Sequence, residues 1–346
     1  MSFHIPPTPI YEKDLARLEK VYKAALKELI EMLVNVDPTE LLKREIYESI
    51  LRQITFIIID LNKESKAWLE ETLTDAFGHS QASALVTMGL AKDLVEAKGK
   101  LKFTLMSRQR IESMINDTFR DVLKATTFMD NRLKTMVRET QAEVLRQNTA
   151  LIRGTVTSAK DLKEALKDKG FSETLVEENW HGIIDSSGRR WDLTTYTRMV
   201  ARTKLQQVQI EGARLQALEN DTDLAIISSH GAKDACRNFE GMIVSMEGRT
   251  KGYRILSELR NSNLIFHPNC QHSIHPIGDV NALPKKVKEQ ASKAEQSADK
   301  ALEDPKAILK ADNARRYQEK KKRKAEILEK RKKALEKARE ARKAQN

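Results

Sequence analysis

No glycine occurs before Gly78, and ten of the thirteen glycines fall between Gly154 and Gly278. Glycine is the residue that lets a chain turn through left-handed conformations, so its scarcity leaves the first 150 residues, with three glycines, few ways to form tight turns. That segment reads instead as long helices. From Tyr11 to Leu33 the apolar residues Leu15, Leu18, Val21, Tyr22, Ala25, Leu26, Leu29 and Ile30 fall at helical spacing. Asp37-Pro38-Thr39-Glu40 is a helix-start signal, with proline at the first helical position. A second helix is expected through Leu41 to Leu61, and further ones over Ser65–Phe77, Ser80–Ala97 and Ser107–Gln147.

Composition narrows the class. Charged residues make up 32 % of the 346 and aromatics only 5 %, which favours exposed helices over an aromatic-rich enzyme core. The longest apolar cluster, Phe56-Ile57-Ile58-Ile59, is followed at once by Asp60, far short of a membrane span. Met1 to Pro7 lacks a basic region leading into an apolar stretch, so no signal peptide is expected. Two cysteines are too few for a disulfide scaffold. No Walker A loop, GxGxxG or HExxH is present.

The formal charge of +11 belongs to the C-terminal end alone. Residues 284–346 hold 22 basic and 11 acidic side chains, whereas residues 1–283 hold 39 of each. From Lys306 onwards the chain is rich in Ala, Lys, Glu and Arg, so one long helix is expected, with a thin apolar stripe. Its clusters Lys320, Lys321, Lys322, Arg323, Lys324 and Lys330, Arg331, Lys332, Lys333 suit sequence-independent contact with nucleic-acid phosphates; a solvated helix with no ligand is the alternative. Truncation at Pro284 is expected to leave residues 1–283 folded.

Residues 156–283 differ in kind. A short helix is expected from Thr157 to Lys169, turn chemistry at Asp185-Ser186-Ser187-Gly188, and a helix from Asp192 to Leu218. Strand signals follow at Leu224–Ser228, Glu240–Val244 and Leu264–Phe266. Both cysteines lie here, with His230, His267, His272 and His275. Cys236, His267, Cys270 and His272 offer two thiols and two imidazoles, a tetrahedral donor set for Zn²⁺, with His230 or His275 as substitutes. Two buried free thiols, or a Cys236–Cys270 disulfide, are the alternatives. A cysteine nucleophile at Cys270 has no nucleophile motif around it, and His267, Asn269 and His272 lie too close together for a ββα metal-nuclease site.

A family resemblance enters at these residues. Gly188-Arg189-Arg190-Trp191-Asp192-Leu193, with Tyr196, Met199, Arg202 and Thr203, resembles a sequence block of the tailed-phage minor capsid protein 2 family. Ser228-Ser229-His230-Gly231-Ala232 with Phe239-Glu240-Gly241 resembles its second block, and Asn269-Cys270-Gln271-His272-Ser273 with Pro276 its third. More distantly, Phe239-Glu240-Gly241 and His267-Pro268-Asn269-Cys270 are similar to the phage Mu F-like head morphogenesis proteins. Where those proteins often carry a CxxC and a final cysteine, this chain has Cys236 alone and His272, so any metal site must be mixed.

The resemblance implies a low-copy structural protein of the phage head and not an enzyme. It implies association with the portal protein and with major capsid or scaffolding protein, a place in the capsid interior, and a role in head assembly, DNA packaging or ejection. Assembly would take place in the host cytoplasm, with no membrane partner, and double-stranded DNA would meet the basic tail. A sequence-independent DNA-binding protein or phage effector is the alternative. The expected fold is mainly α with a small α+β domain. It comprises a helical docking region (1–155), a Mu F-like α+β domain (156–283) and a basic helical tail (284–346).

Overall fold

The computed structural model describes residues 4–7, 9–152, 171–184 and 188–344. The short helix expected over 157–169 and the turn residues 185–187 lie outside the described residues. The chain is mainly α with small antiparallel sheets, as the sequence implies, and it divides into two compact units, Met1–Asn220 and Asp221–Asn346.

The first unit is helical. It contains α1 (Glu12–Val34), a 3-10 turn (Pro38–Leu42), α2 (Arg44–Thr87), α3 (Leu94–Lys100) and α4 (Leu105–Ile152). After these come α5 (Glu173–Trp180), the short strands β1 (Ile183–Ile184) and β2 (Arg190–Trp191), and α6 (Leu193–Leu218). The stripe read from α1 is the one it buries: Leu15, Leu18, Tyr22, Leu29 and Leu33 are all at most 2 % exposed. Asp37 caps the 3-10 turn by accepting from the Thr39 N–H at 3.0 Å. Helix α2 packs against α1, α4 and α6 and so forms the axis of the unit. Two buried polar contacts tie its elements together: Ser65 donates to the Tyr22 hydroxyl at 3.1 Å, and the Trp180 indole N–H donates to Thr194 at 3.2 Å.

Helix α2 is longer than expected, joining three segments that the sequence separated. Ile54, Ile58, Leu61, Leu69, Leu73, Ala76 and Phe77 are buried along it, and this continuous burial outweighs the cost of about 1 kcal/mol for Gly78 inside a helix. The helix stops at Thr87 in a Schellman motif. Gly89, at φ +76°, donates to the Val86 carbonyl and Leu90 donates to the Leu85 carbonyl. The helix expected to run to Ala97 is thus two helices, α2 and α3.

The second unit is built on a three-stranded antiparallel sheet in the order β4 (Ile243–Ser245), β3 (Leu224–Ile227), β5 (Ile274–Pro276). Ile226 faces Ile243 on one side and His275 on the other. Around the sheet lie a 3-10 turn (Ala235–Phe239), α7 (Leu256–Asn261), α8 (Lys285–Glu303) and α9 (Pro305–Ala344). The strand expected at Leu264–Phe266 is not formed. Leu264 and Ile265 are fully buried, but Asn263 (φ +59°) and Phe266 (φ +58°) adopt left-handed backbone that cannot continue a strand. The third strand is Ile274–Pro276 instead.

The tail is two helices, because Pro305 breaks it and Asp304 caps the second at the Ala307 N–H. Helix α8 buries Ala291, Ala294, Ala298 and Ala301 and packs on the Ala235–Phe239 turn. It lies within this second unit, which runs from Asp221 to the C-terminal end. Among the described residues no helix is long and apolar enough to cross a membrane.

Candidate metal centre

Two loops bring the cysteines together. Cys236 is the second residue of the Ala235–Phe239 turn, whose start is capped by Asp234 accepting from the Cys236 N–H at 3.2 Å. Cys270 closes a turn in which its N–H donates to the His267 carbonyl at 2.9 Å. Asn269, at φ +65°, makes that turn, and asparagine tolerates this conformation better than most residues. Left-handed Phe266 and Asn269 therefore flank His267 on both sides.

The two Sγ atoms lie 3.7 Å apart, both thiols are free, and both are buried. That separation excludes a disulfide and is close to the ~3.8 Å between two thiolates on one tetrahedral zinc with Zn–S ≈ 2.3 Å. His267 Nε2 is 3.0 Å from Cys236 Sγ, and His272 Nδ1 is 3.2 Å from Cys270 Sγ. Ligand atoms of Cys236, Cys270 and His272 all lie within 4.8 Å of one another, and those of Asp234, Cys236 and His267 form a second such group. Cys236 is common to both.

Each imidazole has its remaining nitrogen committed. His267 Nδ1 lies 2.9 Å from the Pro268 carbonyl oxygen, and His272 Nε2 lies 3.2 Å from a Glu240 carboxylate oxygen. Both partners are acceptors, so both of those nitrogens carry the proton. The nitrogens that face sulfur are the ones left with a lone pair. This is how metal-binding histidines are held, with carboxylate or carbonyl fixing the tautomer from behind. Cys236, Cys270 and His272 therefore fit zinc, with the Cys270–His272 contact opening by a few tenths of an ångström on coordination, whereas His267 groups with Cys236 and Asp234 and would have to move towards Cys270 and His272 to join them.

Charge is arranged to match. The Cys270 thiol is pulled well below the usual thiol range, first by its hydrogen bond with Cys236 and then by His272, against the opposing effect of burial. Cys236 is pushed up by the same hydrogen bond and by burial. Burial disfavours charge on His272, but Cys270 and Glu240 together raise it. Glu240 also accepts from the His230 and Ala232 N–H groups, both at 2.9 Å.

The substitutes divide. The exposed His230 ring stacks on His272 with centroids 4.3 Å apart and reaches a group with Glu240 and His272. His275 is 5 % exposed within β5, with Nε2 unpartnered, and burial pushes it down to about 4. It is absent from these groups. Three carboxylates that the sequence did not single out complete the site. Asp234 and Glu240 back the ligand loops. Asp312, 5 % exposed on α9, accepts from the Ala235 N–H at 2.8 Å. Asp234 could have been found as an Asx cap two residues before Cys236.

The family-motif residues serve the scaffold in ways the structure makes explicit. Gly188 is left-handed, Arg189 lies 5.6 Å above the Trp191 ring, and Arg190 and Trp191 pair with β1. Asp192 caps α6 by accepting from the Thr195 N–H at 2.7 Å. Tyr196 packs against the first core, and Thr203 donates to the Met199 carbonyl. Arg198 binds Glu19 and Glu12, and Arg202 binds Glu12. These two arginines thus pair with α1. In the second unit, Ser229 is exposed and the Gly241 N–H donates to Ile227.

Lys320 to Lys324 and Lys330 to Lys333 are all exposed on α9. At 100° per residue they surround the helix and line no single face. No curated protein and no solved structure matches the chain significantly. A family model does, over residues 40–346, which run from the first 3-10 turn through the basic helix. The chain belongs to the phage minor capsid protein 2 family.

Proposed function

We propose that this protein is a low-copy component of the head of a tailed phage, bound beside the portal protein and the major capsid or scaffolding protein. It would contribute to head assembly and to DNA packaging or ejection, without enzymatic chemistry. The observation that carries this reading is the family match across nearly the whole chain, basic helix included. A body that is neutral up to residue 283, joined to a helix ringed with cations, suits a shell protein with one end turned to packaged DNA. The helical first half supplies long faces for protein partners. Cross-linking mass spectrometry on purified heads tests the placement. Cross-links from residues 12–152 to portal protein are expected, and cross-links to tail proteins alone would contradict it.

The proposed cofactor is zinc, held by Cys236, His267, Cys270 and His272. Its role would be structural: four protein ligands close the coordination sphere and tie the 235–239 turn to the loop before β5. Two groups of ligand atoms meet at Cys236, one with Cys270 and His272 and the other with His267, and the acceptors behind the two histidines favour the tautomers that coordination requires. The second reading, a DNA-binding protein acting outside the virion, draws on the exposed cations alone. It would be favoured by DNA binding in infected cells with none of the protein in heads.

A further inference from the structure

We infer that the Cys/His centre is also the anchor of the basic helix, so that metal occupancy fixes how α9 leaves the second unit. This inference rests on the zinc reading above. The link is a pair of carboxylates between the Cys236 turn and the root of α9. Asp234 accepts from the Cys236 N–H through one oxygen; the other lies 3.5 Å from His267 Nε2 and accepts from Arg316 Nη2 at 2.8 Å. Asp312 reaches back from α9. One of its oxygens accepts from the Ala235 N–H at 2.8 Å, and the other accepts from Arg237 at 3.2 Å and from Arg315 at 3.0 Å. A carboxylate only 5 % exposed is stable there because three donors bind it, and two of those belong to the turn that carries Cys236.

Beyond Arg316 the anchoring stops. Every residue from Tyr317 to Lys333 is exposed. The direction of the whole cationic segment is therefore set by contacts made at residues 312 and 316. Those contacts need the 234–237 turn to hold its shape, and the turn is held by Cys236 and His267 on one side and by α8 on the other. A metal that joins Cys236 to Cys270 and the two histidines would make that turn rigid. Its loss would leave Asp234 and Ala235 free to move away from Arg316 and Asp312. The coupling is reciprocal: whatever factor the metal adds to helix docking, docking adds to metal affinity.

The test uses the full chain, with zinc content measured alongside hydrogen exchange. Zinc-loaded protein should protect amides 306–316, and removal of zinc with a chelator should speed their exchange about tenfold, within the usual coupling range. Arg316→Gln, a change at a half-exposed side chain that leaves folding intact, should weaken zinc binding several-fold in competition with a chromogenic chelator. Neutralising Lys320–Lys324 should leave zinc affinity unchanged. Stoichiometric zinc with identical exchange at 306–316 before and after chelation would overturn the anchoring while leaving the metal centre standing. A chain that takes up no zinc would overturn both.

Discussion

Gly212 stands where α6 crosses α2, and a Cβ there would lie 2.7 Å from the Phe77 carbonyl oxygen and would clash with Ser80 Oγ. A serine hydroxyl can rotate away, but a backbone carbonyl inside a helix cannot. Gly212→Ala gains helix propensity of about 1 kcal/mol yet forces the helices apart, so the net expectation is a loss of roughly 1–2 kcal/mol. Denaturant unfolding of the full chain measures it, and an unchanged midpoint would show that the crossing is loose. At the metal centre, Glu240→Gln keeps the shape of the side chain but removes the charge behind His272. Zinc affinity should fall about tenfold, read by chelator competition, and equal affinity would remove Glu240 from the site. The ligands were legible because two histidines and a cysteine fall within six residues and the other cysteine lies 34 positions earlier. Asp234, Glu240 and Asp312 were not, since carboxylates are common in a chain that is 32 % charged and only folding shows which ones are buried.

Among the elements, α1 and α6 were readable almost to the residue, α1 because it carries a clear apolar stripe and α6 because its start is marked by the Asp192 cap. The three segments that fuse into α2 were not, because Gly78 and the polar run around Asn62 imitate helix ends that tertiary burial overrides. The missing strand at 264–266 has a different cause. An apolar triplet signals burial but not backbone conformation, and Asn263 and Phe266 take positive φ there. Helix α8 was not separable from the basic tail, because a stripe of alanines looks weak in a hydropathy pattern. Its four alanines close the 235–239 turn. Removal of residues 320–346 should therefore leave thermal unfolding unchanged, whereas removal from 285 should lower the melting temperature of the second unit or abolish its transition. Equal melting of the two truncated chains would show that α8 contributes nothing to the core.

At the scale of the whole molecule, charge segregation is the property most directly tied to role. Nine cations in two clusters surround an exposed helix, so any contact with DNA would be made through phosphates and would carry little sequence preference. If four to six phosphates are neutralised, the logarithm of affinity should fall with the logarithm of salt at a slope of about −4 to −5. Removal of residues 320–346 should flatten that dependence, and an unaltered slope would place the DNA contact elsewhere. Membership of the minor capsid protein 2 family makes the virion the place to look for the protein. Quantitative mass spectrometry of purified heads from the encoding phage addresses the central claim directly. A few to a few tens of copies per head are expected. Complete absence from heads that contain the normal amount of portal protein would contradict the account.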